Sequence, residues 1–356
     1  MKYSKFILFV VLLSAAGFAC RKGSSGGGQS QPYDKVSVST FAGDGKDAYA
    51  NGPLLSARFR SPVDVAISSD GIIYVSDYSN HRIRKISGGQ VSLLAGIGNW
   101  GTTNGAGNVA EFKDPYRIEV DAAGNVYVLD QNNPHVRQIT PLGDVSVFAG
   151  TDVPGFRNGD AVIAQFALDQ GGLAFDAQGN LYIDDSFNGR IRKISLAGQV
   201  STFAGKETEG FVEGDTSVAQ FRYPDGILFD KQGNMYVADN GNFCIRKITS
   251  AGVVSVFTGA RTKGTADGGP GVAQFSYIND MVMDKDGNFL LSDEHRIRKI
   301  SPAGEVSTLA GSTAGYAEGN GATAKFNYPA GIALDAEGNL FVADALNNRV
   351  RKISFK

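Results

Sequence analysis

Asp64, Asp225 and Asp280, with Asn279, Tyr116 and Arg117, are the residues of this chain best suited to hold a ligand. They fall at matched positions of segments that otherwise look alike: Val63-Asp64, Tyr116-Arg117, Gly171-Gly172, Asp225-Gly226, Asn279-Asp280 and Ala330-Gly331. Brought to one point, the three carboxylates and the amide would offer the hard oxygen donors that suit Ca²⁺. A carboxylate beside the Arg117 guanidinium would suit an anionic or sugar ligand instead. Trp100, the only tryptophan, stands out of register between Asn99 and Gly101 and could stack on a sugar or anchor a protein partner. Asp184 is a further candidate, an added acid beside Asp185 where the other segments carry Ser, Leu or Ala.

Other reactive residue types are absorbed by the pattern. His81 and His295 take the same slot before an arginine and His135 lies one place later, so the three histidines are dispersed and form no triad or His-x-x-x-His cluster. Asp77, Asp130, Asp185, Asp239, Asp293 and Asp344 each precede a turn, where a carboxylate can accept from backbone N–H groups. Arg-x-Arg-Lys runs at 82–85, 190–193, 296–299 and 349–352 predict basic charge spread around a rim and balanced by nearby acids. Nucleic-acid binding would need that charge gathered on one face, and the net charge of −2 supplies no overall field for it.

The elements that must position these residues follow from a long-period repeat. Ala42-Gly43 returns as Ala95-Gly96, Ala149-Gly150, Ala204-Gly205, Thr258-Gly259 and Ala310-Gly311, at steps of 53, 54, 55, 54 and 52 residues. Within each unit, short runs rich in Val, Ile, Phe and Tyr alternate with Gly, Asn and Asp, which reads as strands joined by hairpins. An Asp-x-x-Gly-Asn turn recurs after the first strand, and a glycine-rich loop of about 16 residues follows the fourth. The fold expected is all-β: a six-bladed propeller of four-stranded antiparallel blades over residues 35–356. The chain starts with an isolated fourth strand, Lys35 to Ala42, and stops after a third, so pairing these two would complete the last blade and close the ring.

Pro-Ala-Gly-Ile at 329–332, Tyr74-Val75-Ser76-Asp77 with Asn80-His81-Arg82-Ile83, and Tyr236-Val237-Ala238-Asp239 with Asn242 resemble the NHL-repeat family. That resemblance covers essentially all of 35–356 and implies the propeller. It leaves function open, since such repeats occur in enzymes, RNA-binding modules, protein-interaction modules and sensor domains. The channel acids are also similar to those of six-bladed lactonases and related hydrolases, which hold one cation in the channel mouth. This second resemblance implies Asp64, Asp225 and Asp280 as metal ligands.

The long loops share an Ala-x-Phe ending, so Phe59, Phe112, Phe166, Phe221, Phe275 and Phe326 are assigned to the core, and Tyr49, Phe156, Phe211 and Tyr316 to packing. Ahead of the propeller, two lysines within Met1 to Lys5, an apolar run from Phe6 to Ala19 and small residues before Cys20 predict a lipoprotein-type signal peptide over 1–19. Cys20 would be the lipidated residue and 20–34 a flexible tether, leaving Cys244 with no disulfide partner. The expectation is a monomeric, exported lipoprotein of the bacterial envelope, held to the membrane only by its lipid. It would be a non-catalytic scaffold binding a glycan, peptide or protein through its long-loop face. The alternative is a cation-dependent hydrolase or lactonase working at the channel mouth.

Overall fold

In the computed structural model, which describes residues 35–168 and 171–355, each Asp-x-x-Gly-Asn segment folds as a tight turn. Asp121, Asp176, Asp230, Asp284 and Asp335 accept from both the backbone N–H and the side-chain amide of the asparagine four residues on. The glycine between them takes φ near +80°, as at Gly124 (81°) and Gly338 (84°), where a Cβ would be strained. The turn therefore fixes where the first strand of a blade stops and the second begins.

Six sheets result. Their innermost strands are Pro62–Ile67, Pro115–Val120, Leu173–Phe175, Pro224–Phe229, Ile278–Met283 and Pro329–Leu334. Second, third and outer strands follow outward in antiparallel order. The ring closes as the sequence predicts: Val36–Ala42 lies against Arg349–Phe355, with Val36 opposite Phe355 and Val38 opposite Ile353. Four blades gain a fifth, two-residue strand from the long loop, for example Gly52–Pro53 on Gln90–Ala95, so the loop folds back along the blade's outer edge. The expected signal peptide and tether, with Cys20, lie outside the described residues.

Apolar side chains on facing blades make the core, with the six repeated phenylalanines no more than 1% exposed. The expectation of rim charge holds for only part of each arginine run. Arg84, Arg137, Arg192, Arg246, Arg298 and Arg351 are completely buried, and each pairs with the aspartate closing the adjacent strand at 2.6–3.4 Å. The same guanidinium reaches the long loop: Arg84 donates to the carbonyls of Arg58 and Ala50 and to Asn51 Oδ1. Asp77 Oδ1 in turn accepts the backbone N–H of Arg60. Tyr49, Phe156, Phe211 and Tyr316 lie over these arginines at 4.5–4.8 Å from ring centroid to guanidinium carbon, confirming their packing role. Each pair thus fastens a loop to its blade and compensates a charge otherwise costly to bury.

Candidate functional site

The first residues of the inner strands do converge on the propeller axis, and Arg117 lies at their centre. Its guanidinium is 3.7 Å from Asp64, 3.5 Å from Asp225 and 3.8 Å from Asp280, and it donates to the Asn279 carbonyl. The aspartates are further held by backbone: Asp64 accepts from Val65 and Ile118, Asp280 from Met281 and Ile332, each at 2.8 Å. Asp225 accepts from the Tyr277 hydroxyl at 3.0 Å. Gly331 is required beside this cluster, because a Cβ there would stand 1.7 Å from Asp64 Oδ1.

The acids meet a guanidinium where a cation would have to sit. Among the described residues, no three His, Cys, Asp or Glu side chains gather in a metal-holding group. The Arg117 position also differs from the open mouth expected of it, since Asp64, Arg117, Asp225, Tyr116 and Asn279 are all buried. Above them on the long-loop side Tyr116, Val63, Ala330 and Ala345 pack with Tyr78 and Tyr328. Tyr78 and Tyr116 meet edge to face at 6.1 Å.

Below the cluster the channel widens into a cavity of about 840 Å³ lined by inner strands and by the turns at 121–123 and 176–179. Those turns are at the far ends of the strands, so the cavity opens on the face opposite the long loops. Beyond the Arg117 cluster its charged residues are Asp121 and Asp176 in the turns, where each aspartate is held by its own asparagine, and Glu119 on an inner strand. At the equivalent register the other blades carry Ala66, Ala174, Leu228, Val282 and Ala333. Comparing the inner strands position by position shows this odd residue in the sequence, where attention to strand starts alone misses it.

Burial raises the carboxyls here. Asp64 and Asp184 stand well above the ordinary range, with Asp280 adding to the first and Asp225 to the second. Glu119 is pushed up to about 7, by burial above all and by the Asp280 charge. Asp184, a candidate from sequence, lies behind the channel wall at Gly172, whose N–H it accepts at 3.2 Å.

Trp100 is far more open, 59% exposed on the long-loop face. Its indole N–H donates to Asp114 Oδ2 at 3.1 Å, and Lys113 Nζ lies 5.0 Å from the ring centre. Asp114 also accepts from Asn132 at 2.7 Å and lies 3.2 Å from His81 Nδ1. Sequence reasoning missed Asp114, which adopts φ 61° just before Pro115, a conformation that no local signal announces. Phe187 and Tyr223, 59% and 46% exposed, add aromatic surface to the same face.

Residues 59–86 and 326–353 match the NHL repeat. The chain is an NHL-repeat propeller. It is 27% identical over 325 residues to protein SUPPRESSOR OF QUENCHING 1, chloroplastic, of Arabidopsis thaliana, covering 84% of this chain and 31% of that protein. It therefore spans about a third of that relative's length, and 13% of Danio rerio teneurin-3, to which it is 26% identical over 89% of this chain. Among solved structures, a protein of unknown function from Bacteroides thetaiotaomicron superposes on the NHL propeller with a TM-score of 0.69 at 24% identity, over 90% of this chain and 76% of that one. An auxiliary nutrient binding protein from the same organism gives 0.67 at 19% identity, with the same two coverages. These likenesses carry the fold.

Proposed function

We propose that this NHL propeller is an exported, non-catalytic binding protein that recognises a glycan through its long-loop face. The observation that carries the reading is Trp100, an exposed indole whose orientation is fixed by Asp114. A flat apolar ring flanked by Asn132, Asp114 and His81 offers a stacking surface with hydrogen-bonding groups at its edge, the combination a sugar ring requires. Fixing the ring before binding lowers the entropy cost of association. The shared fold with an auxiliary nutrient binding protein accords with a binding role. Export and lipid attachment at Cys20 belong to the same proposal and rest on the charged, apolar and small-residue pattern of 1–20.

Electrophoresis of the protein through native gels containing soluble starch, xylan, mannan or laminarin tests this reading. At least one polysaccharide is expected to retard the wild type, to shift the fluorescence of its single tryptophan, and to leave Trp100→Ala unretarded. Equal mobility of wild type and Trp100→Ala in every gel would overturn it.

A further inference from the structure

We propose that the channel cavity binds a small organic cation, an ammonium group carried on an apolar body, which enters from the face opposite the long loops. The proposal is independent of the glycan reading, because the residues lining this cavity lie towards the far ends of the inner strands and Trp100 lies on the long-loop face. A volume of about 840 Å³ falls in the range of ligand pockets. The outer part of the wall is apolar: Ile67, Val120, Phe175, Phe229, Met283 and Leu334, three residues past the Arg117 cluster on each inner strand. At about 3.3 Å per residue, that collar lies roughly 10 Å from the acidic floor.

Charge sets the polarity of the ligand. Asp64 and Asp280 line the floor with Arg117, and Glu119 lies between floor and collar. Asp64, Asp280 and Glu119 thus face the cavity against one guanidinium, with Asp121 and Asp176 at its rim turns and Asp225 and Asp184 behind the floor. An anion would meet repulsion. Arg117 blocks a bare divalent ion at the floor, whereas Glu119, its Oε1 accepting only a long 3.3 Å contact from Val120 N–H, has no ion pair among the described residues. One carboxylate in an apolar wall matches one ammonium, and the collar matches the carbon skeleton behind it.

Calorimetric titration of the full chain at pH 8 with phenethylammonium chloride, 2-phenylethanol and sodium phenylacetate tests the site, since the three probes share a body and differ in charge. Phenethylammonium is expected to bind at least tenfold more tightly than the alcohol, and phenylacetate not at all. Glu119→Gln, an isosteric change that removes a charge burial disfavours, should stay folded and lower the ammonium's affinity to that of the alcohol. Trp100→Ala should leave all three titrations unchanged. Equal binding of ammonium and alcohol, undiminished ammonium binding by folded Glu119→Gln, loss of binding in Trp100→Ala, or no ammonium binding up to millimolar concentration would each overturn the proposal.

Discussion

Arg84 Nη1 donates to Asp77 Oδ2 at 2.7 Å, and neither side chain is reached by solvent. The pair joins the second and third strands of its blade, while Arg84 also holds two carbonyls of the long loop. Arg84→Ala should therefore cost about 3–5 kcal/mol in urea unfolding, because it strands a buried carboxylate as well as freeing the loop. Replacing both partners, Asp77→Asn with Arg84→Met, should cost less than Arg84→Ala alone. A loss below about 1 kcal/mol in the single variant, the range of exposed ion pairs, would show that the pair is not the fastening.

Removal of Val36–Ala42 leaves the last blade without its outer strand and uncovers Val350 and Ile353. The expected loss is about 5 kcal/mol or more, a large part of what keeps a domain folded. An unaltered urea midpoint in the shortened chain would mean that the ring does not depend on this closure.

What the chain discloses and what it withholds divide along the repeat. Ala-Gly steps, Asp-x-x-Gly-Asn turns and the Ala-x-Phe endings each recur, and each serves the fold, so blade number and closure are legible from them. Arg84 and its counterparts recur just as plainly, but a charged residue beside a second Arg and a Lys reads as solvated; only the facing Asp and the loop carbonyls bury it. The convergence of Asp64 and Asp280 was legible from register. That Arg117 would occupy their meeting point was not, since Arg117 and Asp225 are 108 residues apart and side-chain reach decides the outcome. Glu119 and Asp114 are single departures from the pattern, and their meaning depends on a cavity and a neighbouring loop that no periodicity encodes.

Glu119 makes stability depend on pH in a stated direction. Its carboxyl rises from 4.5 to about 7 in the folded protein, so between those values the folded state holds a proton that the unfolded chain has lost. Stability attributable to this group is full below pH 4.5 and falls as pH rises towards 7, by on the order of 1–3 kcal/mol. Thermal melting at pH 5 and pH 8 should show a smaller difference for Glu119→Gln than for the wild type. Identical differences would place Glu119 in a more hydrated setting than its position implies.

Asp114 fixes Trp100, and the single tryptophan makes that readable. Asp114→Ala should increase acrylamide quenching of the indole and lower its fluorescence anisotropy while the melting temperature changes little, because exposed polar contacts contribute weakly to stability. An unchanged anisotropy would mean that the ring is held by Lys113 or by packing on its own loop.

Arg117 can be asked whether it stands in for a metal. Asp64 and Asp280 both lie within 4 Å of Arg117 Nη1, so Arg117→Ala leaves two carboxylates, with Asp225 behind them, around the space the guanidinium filled. In the absence of divalent ions this variant should lose about 3–5 kcal/mol, since the acids become uncompensated buried charges or must take up protons. Addition of Ca²⁺ should then raise the melting temperature of Arg117→Ala and leave that of the wild type where it was, because binding to the folded state alone adds stability by mass action. A Ca²⁺-dependent rise in the wild type would show that cation and guanidinium occupy the channel together. No rise in either protein would show that the backbone N–H groups of Val65, Ile118, Met281 and Ile332 already hold the carboxylate oxygens too firmly to coordinate an ion.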